Sequence, residues 1–587
     1  MKHDYKTEAW LWLAGSIVVV WLAMLFASSY EEGHKLIEML ESMTVSLQIP
    51  FSIKWSDHTL KITAIFLFIY AMGIGFYYAT RENRRPGVEH GSAKWGNVQR
   101  IVKRYKNHKQ ESQNLILSEN MRLGLDGKKH RRNLNVLVVG GSGSGKTRFY
   151  AKPNIMQCNT SFIITDPKAE ILRATSPLLI EKGYDIKVFN LINTSQSDGY
   201  NPFAYLNDEM DVIKLITNLI RNTTPKNATQ GEPFWERAEI ALDTALILYL
   251  MDKAPPEEQN FDTVMYMIEN GAASEEDETY KSPLDLLFDS LREKEPNHIA
   301  LRQYNIFKQA AGKTAKSILI SAAVRLAAFQ LPEISRITSY DSLDLGSTGE
   351  RKKAIFCVIP DNDSSFNYLV GMLYTQAFQE IFYCADHKYG GELPIPVHLM
   401  MDEFANVSLP ENFETSLATM RSRRVSVSII IQNMAQLKAL FKNSWESIVG
   451  NCDTMIYLGG NEQATHEYIS KMLGKETIDT RTRGITKGRQ GSSNTNYQNT
   501  GRELLTLDEV RLLDNQNSLI FLRGERAMMD KKFEILKHPN IGYTLDGGGT
   551  PYHHNIDKGY VRKDIDTKNI ENIEIIEGLE EQYDEKN

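Results

Sequence analysis

NLNVLVVGGSGSGKTRFY, residues Asn133–Tyr150, decides the fold of this chain. The apolar run Val136–Val139 ends at Gly140, and Gly141, Ser142, Gly143, Ser144, Gly145, Lys146 and Thr147 follow. This satisfies G-x-x-x-x-G-K-[ST] between a strand-like run and a segment able to be a helix, the context that a P-loop requires. Glycine permits the turns that aim successive N–H groups at one anion, and the helix behind adds the positive end of its dipole. Gly140, Gly143, Ser144 and Gly145 then form a phosphate cradle. Lys146 reaches the β- and γ-phosphates, and Thr147 holds Mg²⁺, so the expected ligands are ATP and Mg²⁺.

Working outward, short apolar runs recur at Ser161–Thr165, Ile186–Asn190, Lys353–Pro360, Val397–Met401, Val425–Ile431, Thr454–Leu458 and Leu519–Leu522. Strand and helix signals alternate, which predicts an α/β fold on a parallel sheet. Val397–Met401 ends in Asp402-Glu403, the pair a P-loop ATPase needs. Asp402 would orient Mg²⁺ through its water shell, and Glu403 would accept the proton of the attacking water. Gln432 ends the following strand and is read as a neutral sensor of the γ-phosphate or the lytic water. Arg421, Arg423 and Arg424 precede that strand. One of them is a candidate arginine finger on a neighbouring subunit's nucleotide, which requires a closed ring.

From Asp208 to Ala328 apolar residues recur at three- and four-residue spacing, as in an inserted all-α domain. Gly484–Arg502 is rich in Gly, Ser, Asn and Thr and reads as a loop. The expected domains are an anchor at 1–85, an α/β domain at 86–205 and 340–545, an all-α domain at 206–339, and a disordered acidic tail at 546–587.

Trp10–Ala27 and Ile62–Ala79 are uncharged apolar runs, each close to the ~20 residues that cross a bilayer. Arg81, Arg84 and Arg85 follow the second run, and Lys2 and Lys6 precede the first. The segment between carries Lys35, Lys54 and Lys61 among several carboxylates. That asymmetry predicts a multi-pass protein of the inner (cytoplasmic) membrane with both termini cytoplasmic. Arg100–Arg132 holds ten Lys and Arg residues. It is either juxtamembrane charge for anionic headgroups or a phosphate-tracking surface. A net charge of -7 over 587 residues excludes a protein coated in positive charge, though not a local basic channel. Cys158, Cys357, Cys384 and Cys452 lack C-x-x-C spacing and read as reduced thiols.

The ordered set resembles the type IV secretion coupling proteins, the TraG/TraD group of conjugation ATPases. It comprises two N-terminal spans, His90-Gly91-Ser92-Ala93-Lys94-Trp95, the P-loop, Thr165-Asp166-Pro167-Lys168, a helical insertion, Leu399–Phe404, Glu503–Thr506 and Leu522-Arg523-Gly524. The resemblance implies a RecA-like P-loop NTPase domain, an all-α domain and a homohexamer with a central channel. It implies a relaxase bound to single-stranded DNA as cargo and type IV secretion channel subunits as partners. It also implies Arg421 as the finger, eleven residues before Gln432. Two rivals are a docking receptor, in which ATP only supports ring assembly, and a chromosome-partitioning duplex DNA translocase. Glu403 favours an enzyme, since a binding-only site needs no base.

Overall fold

The computed structural model describes residues 5–30, 51, 53–80, 88–224, 233–272, 280–310, 313–363, 365–407, 409–410, 413–485 and 493–555. The chain forms two compact units, Met1–Glu89 and His90–Asn587.

In the first unit, helices Tyr5–Ser28 and Thr59–Thr80 run side by side. Trp12 Nε1 donates to the Tyr78 hydroxyl at 3.1 Å near one end, and the Phe26 and Phe66 rings meet at 5.6 Å nearer the other. Gly15 permits the close approach between them, since a Cβ there would stand 2.3 Å from the Tyr70 hydroxyl. Both helices are long and apolar enough to cross a membrane. Lys2, Lys35, Arg81, Arg84 and Arg85, on which the expected orientation rests, lie outside the described residues.

The second unit is built on a nine-stranded sheet. A small hairpin comes first, β1 (Asn114–Ile116) and β2 (Arg122–Gly124). Then come β3 (Val136–Val139), β4 (Ser161–Pro167), β5 (Asp185–Asn190), β6 (Lys353–Ile359), β7 (Val397–Met401), β8 (Val425–Ile431) and β9 (Thr454–Tyr457). A ribbon follows, β10 (Lys475–Ile485) and β11 (Ser493–Glu503), then β12 (Asn517–Leu522) and β13 (Met528–Lys531). The sheet order is β13-β12-β9-β3-β8-β7-β4-β6-β5. Pairing is parallel from β9 through β5, and β12 and β13 extend the β9 side antiparallel. β3, β6, β7 and β8 are buried at every position, as expected of parallel strands covered on both faces.

Between β5 and β6 the chain is helical, from Glu209–Thr223 to Pro332–Thr338. Phe261 and Phe329 stack at 4.4 Å inside this region. Asp285 ties two of its helices together. It caps Pro283–Lys294 through Ser282 and accepts from the Tyr304 hydroxyl at 2.8 Å on Ile299–Lys308. The α/β fold with an all-α insertion is therefore present.

Two sequence expectations change. Of Gly484–Arg502, read as a loop, the described residues 484–485 and 493–502 belong to the β10–β11 ribbon, paired from Lys475↔Glu503 to Ile485↔Ser493, and 486–492 lie outside the described residues. Among the described residues neither strand buries a face, so no apolar period marked it. Residues 546–555 do not begin a disordered tail. Asp546 pairs with Lys152 at 3.1 Å, Tyr552 N–H donates to the Arg173 carbonyl at 3.0 Å, and His554 bonds Asp198 at 3.0 Å. The rest of the expected tail, 556–587, lies outside the described residues. Within the basic stretch Arg100–Arg132, Arg104 pairs with Glu525, Lys106 with Glu111 and Lys128 with Glu392, and the two readings of that stretch stay open.

Candidate functional site

The register of the sheet assembles the site. Val139 pairs with Ile431, Met401 with Ile429, and Thr165 with Met401. The segments leaving β3, β8, β7 and β4 therefore emerge together at the carboxyl edge, where open α/β sheets bind their ligands. Each carries a polar residue flagged by the sequence.

The loop after β3 is shaped as a cradle. Gly143 and Gly145 lie at φ 76° and 81°, in the left-handed region. A Cβ at Gly145 would stand 2.3 Å from the Phe149 ring. Among the described residues, the N–H groups of Gly143, Gly145 and Lys146 donate to no protein acceptor. The buried Ser144 hydroxyl likewise has no partner. Unfilled donors on neighbouring residues of one glycine-rich loop fit an anion with several oxygens. Behind the loop, Thr147–Ala151 forms a wide π-turn before the α-turn Lys152–Ile155. Pro153 has no N–H to offer the Phe149 carbonyl, which accounts for the widening.

Lys146 is buried, with its Nζ 3.4 Å from the Gly141 carbonyl and 4.0 Å from Glu403 Oε1. The Thr147 hydroxyl donates to Asp402 Oδ2 at 2.6 Å, and Glu403 N–H donates to Asp402 Oδ1 at 3.0 Å. Burial holds the Asp402 carboxyl above the usual range, against the Thr147 hydrogen bond. A hydroxyl and a carboxylate facing each other beside a phosphate cradle are the hard oxygen donors that suit Mg²⁺. Glu403 occupies the left-handed region at φ 48°, a strained conformation for a residue with a Cβ. Its carboxylate accepts from Gln432 Nε2 at 3.1 and 3.3 Å. Gly140, Gly143, Ser144, Gly145, Lys146, Thr147, Asp402, Glu403 and Gln432 are thus gathered at one edge.

Arg421 is not with them. It precedes the seven-residue β8, whereas Gln432 follows it, so about 23 Å of strand separates them. Arg421 is exposed and makes one long bond, at 3.3 Å, to the Gly127 carbonyl. Arg423 grips Asp386 at 2.6 Å, and Arg424, at φ 59°, donates to the Leu393 and Pro394 carbonyls.

Several residues of this edge were given no role by the sequence reading. Asp166, the penultimate residue of β4, receives the Ile171 and Leu172 N–H groups at 3.1 and 2.6 Å. Burial still pushes its carboxyl up to about 7. It lines a cleft of about 310 Å³ with Lys168, Asp361, Asp402, Glu403 and Gln432. A larger cleft of about 690 Å³ lies on the β9 side of the loop, between Gly141–Ser144, Gly459–Glu462, Arg511 and Asn515. The motif Thr165–Lys168 pointed to the first cleft; no local signal marked Arg511 or Asn515.

Residues 91–541 match the family model described as type IV secretory system conjugative DNA transfer. VirD4 of Agrobacterium fabrum is 24% identical over 408 residues, covering 68% of this chain and 58% of that protein. Conjugal transfer protein TraG of Escherichia coli is 22% identical over 400 residues, covering 65% of this chain and 62% of that protein. The chain thus spans less than two thirds of the length of these relatives. Among solved structures, the bacterial conjugative coupling protein TrwBdeltaN70 in its unbound form aligns with a TM-score of 0.55 and 15% identity, over 78% of this chain and 97% of that one. The plasmid coupling protein TrwB in complex with ADP and Mg²⁺ aligns with a TM-score of 0.54 and 13% identity, over 77% and 97%. These likenesses concern the fold, a P-loop α/β core bearing an all-α domain. The family model covers more than half of the sequence, and the chain belongs to the type IV secretory system conjugative DNA transfer family.

Proposed function

We propose that this protein is a membrane-anchored ATPase that couples relaxase-bound single-stranded DNA, or protein cargo, to a type IV secretion channel. One observation carries the reading. The P-loop, the Thr147–Asp402 hydrogen bond and the Glu403–Gln432 pair share one sheet edge in a chain of the conjugative transfer family. Relatives of similar fold that bind ADP with Mg²⁺ agree with it. Both termini would be cytoplasmic, with the second unit facing cytoplasmic ATP.

The cradle N–H groups and Lys146 would bind the phosphates and balance their charge. Thr147 and Asp402 would hold Mg²⁺, which screens the charge of the triphosphate when bound. Glu403 would take a proton from the water attacking the γ-phosphorus. Gln432, already bonded to Glu403, would fix the direction of that carboxylate and of the water. Arg421 of a neighbouring subunit would complete the site in a homohexameric ring.

The test is ATP turnover by the full chain in detergent, with and without single-stranded DNA. Turnover stimulated by DNA and lost in Glu403→Gln is expected. Bound ATP with no turnover under any condition would instead favour a docking receptor.

A further inference from the structure

Lys532 reaches the nucleotide edge from a distant part of the chain. It follows β13, at the border of the sheet, and is only 6% exposed. Its Nζ donates to the Ser144 carbonyl at 2.9 Å and to Asn515 Oδ1 at 3.1 Å. The ammonium lies 5.6 Å from the centre of the Phe149 ring, the same ring that excludes a side chain at Gly145. Its backbone N–H donates to the Gln516 carbonyl at 2.7 Å, so main chain and side chain are both fixed.

Two features make this more than a satisfied buried lysine. The first is charge. Among the described residues no carboxylate pairs with this ammonium, whose polar partners are neutral oxygens. A buried cation without a counter-ion is costly, and an anion arriving next to it removes that cost. The second is direction. In a trans peptide the carbonyl and the following N–H point in opposite directions. A donor fixed on the Ser144 carbonyl from behind therefore turns the Gly145 N–H toward the open side of the loop. A cation on that carbonyl also polarises the peptide and strengthens its N–H as a donor.

We propose that Lys532 is a positioning residue of the phosphate site, holding the Ser144–Gly145 peptide in its anion-binding orientation and adding a second buried positive charge for a nucleoside di- or triphosphate. This rests on the nucleotide reading above. Desolvation pulls the Lys532 ammonium down to about 8, opposed by Asp514, the charged group bearing on it. The other faces around it are the Ser144 carbonyl, the Asn515 amide and the Phe149 ring. The charged form is present below that value and lost above it, so nucleotide affinity falls as pH rises through about 8.

The experiment uses the full chain in detergent and compares wild type, Lys532→Met and Lys146→Ala. Lys532→Met is expected to raise the KM for ATP by about tenfold, the size of one lost charge-assisted hydrogen bond, with kcat within about twofold. Wild-type KM is expected to climb between about pH 7 and 9 while the variant's stays flat. A role in folding alone would leave the pH profile of KM alike in both proteins. Wild-type KM in Lys532→Met, or a fall in kcat at constant KM, overturns the proposal. Should Lys532→Met not fold, binding of a fluorescent ADP to wild type decides, because a flat affinity across that pH range also overturns it. Lys146→Ala separates the two claims: if it binds fluorescent ADP as tightly as wild type, the nucleotide reading of this site itself fails.

Discussion

Glu403 holds a conformation that its sequence neighbourhood would not choose. A left-handed residue with a Cβ costs of order 1–3 kcal/mol, and such strain persists where surrounding contacts impose it. Here the Asp402 carboxylate on its N–H, and Lys146 and Gln432 on its carboxylate, impose it. Glu403→Gln keeps the shape and removes the base. ATP turnover is expected to fall by about 10²–10⁴-fold while nucleotide affinity stays within a few-fold, as read by steady-state kinetics beside equilibrium binding. Retained turnover would move the base elsewhere. A second residue speaks about pH. His398, in β7, is fully enclosed and bonds Ser426 Oγ at 2.7 Å and Ser428 Oγ at 2.8 Å. Burial pulls its imidazole down to about 4. The folded protein then stays neutral there while the unfolded chain takes up a proton near its ordinary value of about 6.5. The contribution is complete above about 6.5 and is lost as pH falls from there toward 4, up to about 3 kcal/mol. Denaturant unfolding between those pH values should show this slope, and His398→Gln should flatten it.

At the scale of elements, legibility in the sequence followed burial. β3, β7 and β8 are enclosed on both faces, so physical necessity wrote them as uninterrupted apolar runs, and the polar residues ending them were readable as a site. Among the described residues the β10–β11 ribbon buries neither face; it is held by cross-strand pairing and at its root, where Ala93 N–H donates to the Lys475 carbonyl at 2.9 Å. Thr, Asn and Gly suit such a ribbon as well as they suit a loop, so composition alone did not separate them. Lys532 was invisible for another reason. Its partner Ser144 lies 388 positions away, and no local pattern encodes a contact of that range. The all-α region was legible as helices but not as a network. Asp285 accepts from Ser282 N–H at 3.0 Å, Ser282 Oγ at 2.8 Å, the Tyr304 hydroxyl at 2.8 Å and Lys308 at 2.9 Å. Asp285→Ala removes a capping box and leaves the enclosed Tyr304 hydroxyl without its acceptor. Thermal unfolding should report a loss of about 2–3 kcal/mol, with Ser282→Ala alone costing about 1. An unchanged melting temperature in Asp285→Ala would show that the helices are held by apolar packing alone.

At the scale of the whole molecule, the placement of Arg421 is the decisive geometry. It stands at the amino end of β8, and the P-loop, Asp402 and Glu403 stand at the carboxyl end of the same sheet. Within one chain Arg421 has a strand's length between itself and the phosphates, so a catalytic role requires a second copy. Its neighbours narrow the choice, because Arg423 is committed to Asp386 and Arg424 to two carbonyls, leaving Arg421 with the least engaged guanidinium of the three. A finger supplied by the next subunit makes a specific claim about mixtures. Arg421→Ala keeps a working P-loop but offers no finger; Lys146→Ala offers a finger but has no working P-loop. Each alone should turn over ATP at least about 10³-fold more slowly than wild type, the range an arginine finger supplies. Assembled together, the two should recover part of the wild-type rate at every interface where an intact P-loop meets an intact Arg421. Recovery that follows the mixing ratio would establish a heterologous, ring-closing contact. A mixture as inactive as its components, in assemblies shown to contain both, would place the transition-state cation within the same chain and leave Arg421 as a surface residue.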